Sequence, residues 1–258
     1  MPILSEYSLE GRVAILATGG GDQAPYLAQA LAEAGASVFT VARRKPYLDA
    51  VMDGLAGDSS VKHGGVVADL ATQSGLAQAM EAFDRRDGPV DSPVDILVND
   101  ARSMFARPFE EITPEEWDEV QSRNLRATFL ITQEVGRRMT SRQYGRIVNL
   151  VSGLAERGMI NGSAFAASQA AVLSLTRSLG VEWGRHNIRV NALGTGWFTA
   201  EDIPLEVQQE ELLVRYTPLR RKGHPRDIGP LLVYLCSEAC DYTTGQPVYV
   251  DGGLNAHP

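Results

Sequence analysis

Apolar positions in this chain alternate between two rhythms. Short, nearly continuous apolar runs occur at Arg12–Ala17 (RVAILA), Ser37–Val41 (SVFTV), Val66–Ala68, Val94–Val98 (VDILV), Arg146–Val151 (RIVNLV), Ile188–Ala192 (IRVNA) and Pro247–Val250 (PVYV). Runs of this length, bounded by turn residues, predict buried strands. Between them the period lengthens. Leu27, Ala30, Leu31 and Ala34 recur at helical spacing over Tyr26–Ala34, and Gly35 is the stop signal. Longer helices fit Glu115–Met139, Ala164–Gly184 and Arg226–Ser237. Strand–helix alternation of this kind predicts a parallel sheet with helices on both faces.

The chain shows no repeat, low-complexity stretch or linker. Asp87–Pro93 (DGPVDSP) reads as a loop. The 258 residues suit one α/β domain over the whole chain. Hydrophobic residues make up 44%, enough for a full core, and the formal net charge of -8 disfavours nucleic acid and anionic membranes as partners. No apolar run has the length of a membrane span. The opening MPILSEYSLEGR has no basic region followed by an apolar stretch, so a cytoplasmic location is the default expectation. Cys236 and Cys240, four apart on one predicted helix face, are too few for a disulfide framework or a metal site and read as small apolar thiols.

In open parallel sheets, ligands bind beyond the carboxyl ends of the strands, where the strand order reverses. The stretches after Ala17, Val41, Val98 and Val151 therefore carry the candidate chemistry. They read Thr18-Gly19-Gly20-Gly21, Ala42-Arg43-Arg44, Asn99-Asp100-Ala101-Arg102 and Ser152, with Asp69 following the third strand. With Asn124, Ile188-Arg189-Val190-Asn191-Ala192, Thr244-Gly245-Gln246 and Val250-Asp251-Gly252-Gly253, these residues resemble the short-chain dehydrogenase/reductase family in order and spacing, from about Leu9 to Gly253.

The resemblance implies a Rossmann-type, doubly wound, seven-stranded parallel sheet of order 3-2-1-4-5-6-7. It implies an NAD(P) cofactor held by the glycine-rich loop, Asp69 at the adenine, Asn99 and Gly196. It also implies that Ser152 bonds the substrate oxygen and that Asn124 holds a relay water. Arg43 after the second strand matches the NADP-preferring version, although a surface arginine there is an equally good reading. The helices Glu115–Met139 and Ala164–Gly184 match those through which family members pair. A homodimer or homotetramer is therefore expected, with Leu130, Val135, Leu173 and Leu179 as candidate contacts.

Several positions depart from the family pattern. Phe165 stands where the family has its proton-donating tyrosine, and Gln169 where it has lysine. Phenylalanine carries no exchangeable proton. Glutamine carries no charge to lower a neighbour's pKa, though its amide can still bond a ribose hydroxyl. The glycine loop is also altered. Read without gaps, its last two glycines become Gln23 and Pro25; with a one-residue deletion they become Asp22 and Ala24. Asp22 also reads as an N-cap that would occupy the amides a phosphate needs. Arg102 replaces a glycine and Thr195 a proline. Tyr216, in the acidic segment Thr199–Tyr216 that would cover the substrate, is one alternative acid. Glu156 and Arg157 are other polar groups near Ser152, with an exposed charged turn as their plainer reading. The main expectation is thus a binding or oligomer partner with weak or absent NADP(H) binding and no hydride transfer. The alternative is an NADP(H)-dependent oxidoreductase on a carbonyl or alcohol substrate with a rebuilt site.

Overall fold

A computed structural model describes residues 3–56, 61–87 and 93–256. Its seven strands are β1 (Val13–Thr18), β2 (Ser37–Ala42), β3 (Gly64–Val67), β4 (Ile96–Asp100), β5 (Gly145–Ser152), β6 (Ile188–Thr195) and β7 (Pro247–Val250). They form one sheet of order β3-β2-β1-β4-β5-β6-β7 with every neighbouring pair parallel, as expected. The helices are α1 (Ala24–Glu33), α2 (Lys45–Leu55), α3 (Gln73–Asp87), α4 (Pro114–Gln121), α5 (Ala127–Arg142), α6 (Ser163–Trp183), α7 (Leu205–Gln208), α8 (Leu212–Tyr216) and α9 (Gly229–Cys236). Most of the predicted loop over residues 87–93 lies outside the described residues.

Strand periodicity of two divides the core. Ala14 and Leu16 of β1 pack with Leu27 and Leu31 of α1 and Leu232 and Leu235 of α9. Ile15 and Ala17 turn to the opposite cluster, with Phe83 of α3 and Ile131, Val135 and Met139 of α5. β4 repeats the division, with Ile96 and Val98 on one side and Leu97 on the other. Each fully buried large aliphatic side chain contributes roughly 1.5–3 kcal/mol, so both faces hold the central strands rigidly.

The strand ends run further than the apolar pattern predicts. β1, β4, β5 and β6 continue to the polar residues Thr18, Asp100, Ser152 and Thr195, because ladder pairing persists past the last apolar position. Thr18 consequently pairs with Asp100, and Ser152 with Thr195, at the rim where ligands bind. The predicted helix Glu115–Met139 is broken into α4 and α5 by a π-helical turn at Ser122–Arg126, which holds Asn124. The predicted helix Arg226–Ser237 begins instead as a 3₁₀ turn, Pro225–Ile228, before α9, with proline at the start of each. Leu130, Val135 and Leu173 are buried in the core and cannot be outward contacts; the partly buried Leu179 also packs on the core. The outward positions of α5 and α6 are instead Phe129 and Val181. Cys236 and Cys240 are both buried, and burial pushes both thiols up from their ordinary pKa.

Candidate active site

β1 and β4 are neighbours in space but not in sequence, so the chain leaves the sheet in opposite directions from their carboxyl ends. A cleft opens there, lined by Thr18, Gly19, Arg43, Asp69, Ser103 and Arg123 among others. Gly19 lies so close to the end of β4 that an added Cβ would sit 3.2 Å from the Ala101 carbonyl carbon. Gly20, at φ +112°, leaves room only for the ring of Tyr47, which an added Cβ would meet at 2.3 Å. The Thr18 hydroxyl accepts from the Gly20 amide at 3.0 Å and fixes the start of the loop. Asp69 accepts from the Ala71 amide at 3.0 Å. Arg43, Arg44 and Arg123 stand close enough to raise the local positive charge. Burial lowers the Arg123 pKa first, Arg43 adds to the effect, Asp69 opposes it and Arg44 adds a smaller repulsion. Arg123, paired with Glu119, was not picked out from the sequence; its only signal was a basic residue directly before Asn124.

The loop between β1 and α1 differs from the expectation. Asp22 is exposed and caps nothing. The N-cap is Gln23, with no side-chain bond to the helix amides, and α1 starts at Ala24 with Pro25 in its first turn. No side chain of the loop therefore competes for those amides. Gly21, at φ +114°, faces open space.

Asn99 is buried and donates to Thr132 Oγ1 at 2.9 Å and Asn149 Oδ1 at 2.8 Å, while its Oδ1 has no partner among the described residues. It positions the β4 end rather than facing the cleft. Arg102 links the end of β4 to β6 and to the glycine loop. Its Nε donates to Asp100 Oδ1 at 2.8 Å, Nη1 to Thr195 Oγ1 at 2.5 Å and Nη2 to Gln23 Oε1 at 2.7 Å.

At the far end, Asn124 ties three elements together. Its Oδ1 accepts from the Ser103 amide at 2.7 Å, and its Nδ2 donates to the Ser103 carbonyl at 3.2 Å and to Ser168 Oγ at 3.0 Å. The π turn presents this side chain across to the β4–α4 connection and α6. Ser152 Oγ accepts from the Leu154 amide at 3.2 Å. Gln169 does not reach toward a ribose; its Oε1 accepts from the Ser152 amide at 3.0 Å, inside the protein. Phe165 is 2% exposed. A pocket of about 120 Å³ is lined by Ser152, Arg157, Trp197, Tyr216 and Asn255 with apolar neighbours, but by neither Phe165 nor Gln169. Phe165 is thus a buried ring that does not line the pocket of Ser152, as burial of an apolar ring favours. Gly196 lines the pocket too; an added Cβ would come within 2.8 Å of Asp251 Cα. Arg157 is held by the Leu254 carbonyl, and Glu156 pairs with Arg177, so the two residues do not form a free charged turn.

Comparison with known proteins places this site in a family. Residues 24–255 match a family profile described as Enoyl-(Acyl carrier protein) reductase. This chain belongs to the short-chain dehydrogenase/reductase family. It is 32% identical over 251 residues to gluconate 5-dehydrogenase of Gluconobacter oxydans, covering 96% of both chains. It is 33% identical over 252 residues to 2-dehydro-3-deoxy-D-gluconate 5-dehydrogenase of Bacillus subtilis, again covering 96% of both. It superimposes with a TM-score of 0.86 on the crystal structure of a gluconate 5-dehydrogenase from Burkholderia cenocepacia in complex with NADP and tartrate, at 29% identity and 99% coverage of each chain. These full-length likenesses to dehydrogenases, one of them holding NADP, overturn the expectation of a non-enzymatic binding or oligomer partner. They also leave weak or absent cofactor binding without support. The structural premise of that expectation, an aspartate capping α1 in place of phosphate, is the part the loop geometry removes.

The residues present fit a dinucleotide. Gly19, Asp69, Arg43 and Arg123 stand around one cleft, the α1 amides are free of side-chain caps, and Ser152, Thr195 and Gly196 line a second pocket. Among the described residues, no helix is long and apolar enough to cross a membrane.

Proposed function

We propose that this chain is an NADP(H)-dependent oxidoreductase that interconverts an alcohol and a carbonyl on a small hydroxy acid, with a rebuilt site for the proton. The observation that carries the reading is the cleft at the β1–β4 crossing. There Asp69 and Gly19 suit an adenosine, and Arg43 and Arg123 suit an added 2′-phosphate. When bound, NADP(H) would supply or take the hydride; the chain's own residues would orient the substrate and move the proton.

Ser152 offers its hydroxyl to the substrate oxygen from the end of β5, and Asn124 holds the π turn and Ser103 in register behind it. Phe165 cannot exchange a proton and Gln169 is engaged with the Ser152 amide. Tyr216, at the end of α8, lines the same pocket as Ser152 and supplies a phenolic hydroxyl from the covering segment. Tyr216 is 58% exposed, so the covering segment closes over substrate for this group to serve. Arg157 is the cation lining the pocket, which suits a substrate carboxylate, and the relatives' names, gluconate and a dehydro-deoxy-gluconate, are hydroxy acids. The test is titration with NADPH and NADH followed by nicotinamide fluorescence, then turnover with keto-gluconates and NADPH. Saturable NADPH binding with substrate-dependent oxidation is expected. No binding of either dinucleotide at millimolar concentration would refute the reading.

A further inference from the structure

Four departures from the family pattern meet at one point. Asp100 and Arg102 stand in Asn99-Asp100-Ala101-Arg102, where the resemblance has Asn-Asn-Ala-Gly; Thr195 replaces a proline; Gln23 lies in the altered glycine loop. In space they are a single cluster. Arg102 Nε and Nη2 both lie 2.8 Å from Asp100 Oδ1, and the two side chains are 16% and 4% exposed. The rest of the guanidinium bonds Thr195 Oγ1 at 2.5 Å and Gln23 Oε1 at 2.7 Å. Each new polar group satisfies another. Unrelated losses would leave buried polar groups unmatched, which costs free energy at each one.

The position of the cluster gives it a role. Asp100 ends β4 and pairs with Thr18, which opens the glycine loop, so the guanidinium lies between the loop, β4 and β6. Thr18, which pairs with Asp100, lines the Asp69–Arg43 cleft, and Thr195, which Arg102 bonds, lines the Ser152 pocket, so a dinucleotide spanning the two would pass beside the guanidinium. The altered loop brings fewer amides to that crossing, since Pro25 in the first turn of α1 has none to offer. We propose that Arg102 holds the pyrophosphate of the cofactor, exchanging Gln23 for a phosphate oxygen while Asp100 keeps its fork oriented. This rests on the oxidoreductase reading above. Guanidinium and phosphate match in bidentate geometry, and the Asp100 charge, which alone would repel the cofactor, is neutralised by the same side chain.

The experiment compares the native chain, Arg102→Lys and the double variant Asp100→Asn/Arg102→Gly. The double variant restores the family's neutral pair and leaves no buried charge without a partner. Each is titrated with NADPH and with 2′-AMP, which carries the adenosine and 2′-phosphate but no pyrophosphate. Loss of a charged hydrogen-bond donor is expected to weaken NADPH binding by roughly ten- to a hundredfold in the double variant. Arg102→Lys should fall in between, and 2′-AMP should bind all three alike. NADPH binding unchanged or tightened in the double variant overturns the proposal while leaving the oxidoreductase reading standing. Equal loss of both ligands also overturns it, because that pattern means a disturbed fold. A native chain that binds neither NADPH nor NADH defeats the oxidoreductase reading, and this one with it.

Discussion

Replacing Arg102 by glycine alone should make stability depend steeply on pH. Asp100 is buried, and burial pushes its carboxyl up from the ordinary range, while the charge and hydrogen bond of Arg102 pull it back. Without Arg102 only the upward push remains. Removing one partner of a buried ion pair costs roughly 3–5 kcal/mol. For a chain of this size each kcal/mol moves the melting temperature by about 2–4 °C, so a fall of roughly 6–20 °C is expected at neutral pH. A carboxyl raised above its unfolded value binds its proton more tightly when folded. Its favourable contribution is complete below the unfolded pKa and is lost as pH rises through the folded one. Arg102→Gly should therefore melt nearest to the native chain near pH 4 and diverge from it toward pH 8. Adding Asp100→Asn removes the buried charge and should recover most of the difference at the higher pH. Thermal unfolding followed by circular dichroism over that range is the assay. A deficit equal at every pH, or one that Asp100→Asn fails to relieve, would refute the account of this pair.

Arg43→Ala should weaken NADPH roughly tenfold or more while leaving NADH unchanged, because only the 2′-phosphate loses a charged donor; competitive titration measures both. Tyr216→Phe should lower kcat by about 10²–10⁴ with NADPH affinity intact if this hydroxyl moves the proton; stopped-flow turnover beside a binding titration separates the two. The homo-oligomer expected from α5 and α6 must use their exposed residues, with Phe129 beside Leu125 and Leu175 on one groove. Phe129→Glu should shift light-scattering mass toward the monomer while the native chain remains larger.

The sheet was legible because its signals are local and repeated. Each strand is a short apolar run, each connection returns the chain to the same edge, and the order is what the resemblance carried by the glycine loop, Asp69 and Asn124 implies. Strand ends were less legible, since Thr18, Asp100, Ser152 and Thr195 are polar and look like loop until their ladder partners are known. The outward helix faces were misassigned for a related reason. On helices packed against both sheet and neighbours, Leu130, Val135 and Leu173 carry the same apolar signal whether they face the core or a partner subunit.

The site was legible only as a set of differences, and differences taken singly read as damage. A glutamine and an aspartate in a glycine loop, an arginine for glycine and a threonine for proline each remove something the family uses. What a single sequence does not display is that Arg102 reaches Gln23, 79 residues away, and Thr195, 93 residues away, as well as its close neighbour Asp100. The same holds at the catalytic end. Phe165 and Gln169 lie in a helix register that fixes what they are, but not that Phe165 is buried and Gln169 faces the Ser152 amide. Tyr216, legible in the sequence as an alternative acid of the covering segment, does line the Ser152 pocket, which neither of them lines. A proton donor is defined by its reach to one atom, and reach is a property of the closed chain. The loss of a residue type at one position removes a group from the sequence pattern; it removes the chemistry only if no other element brings an equivalent group to the same cavity.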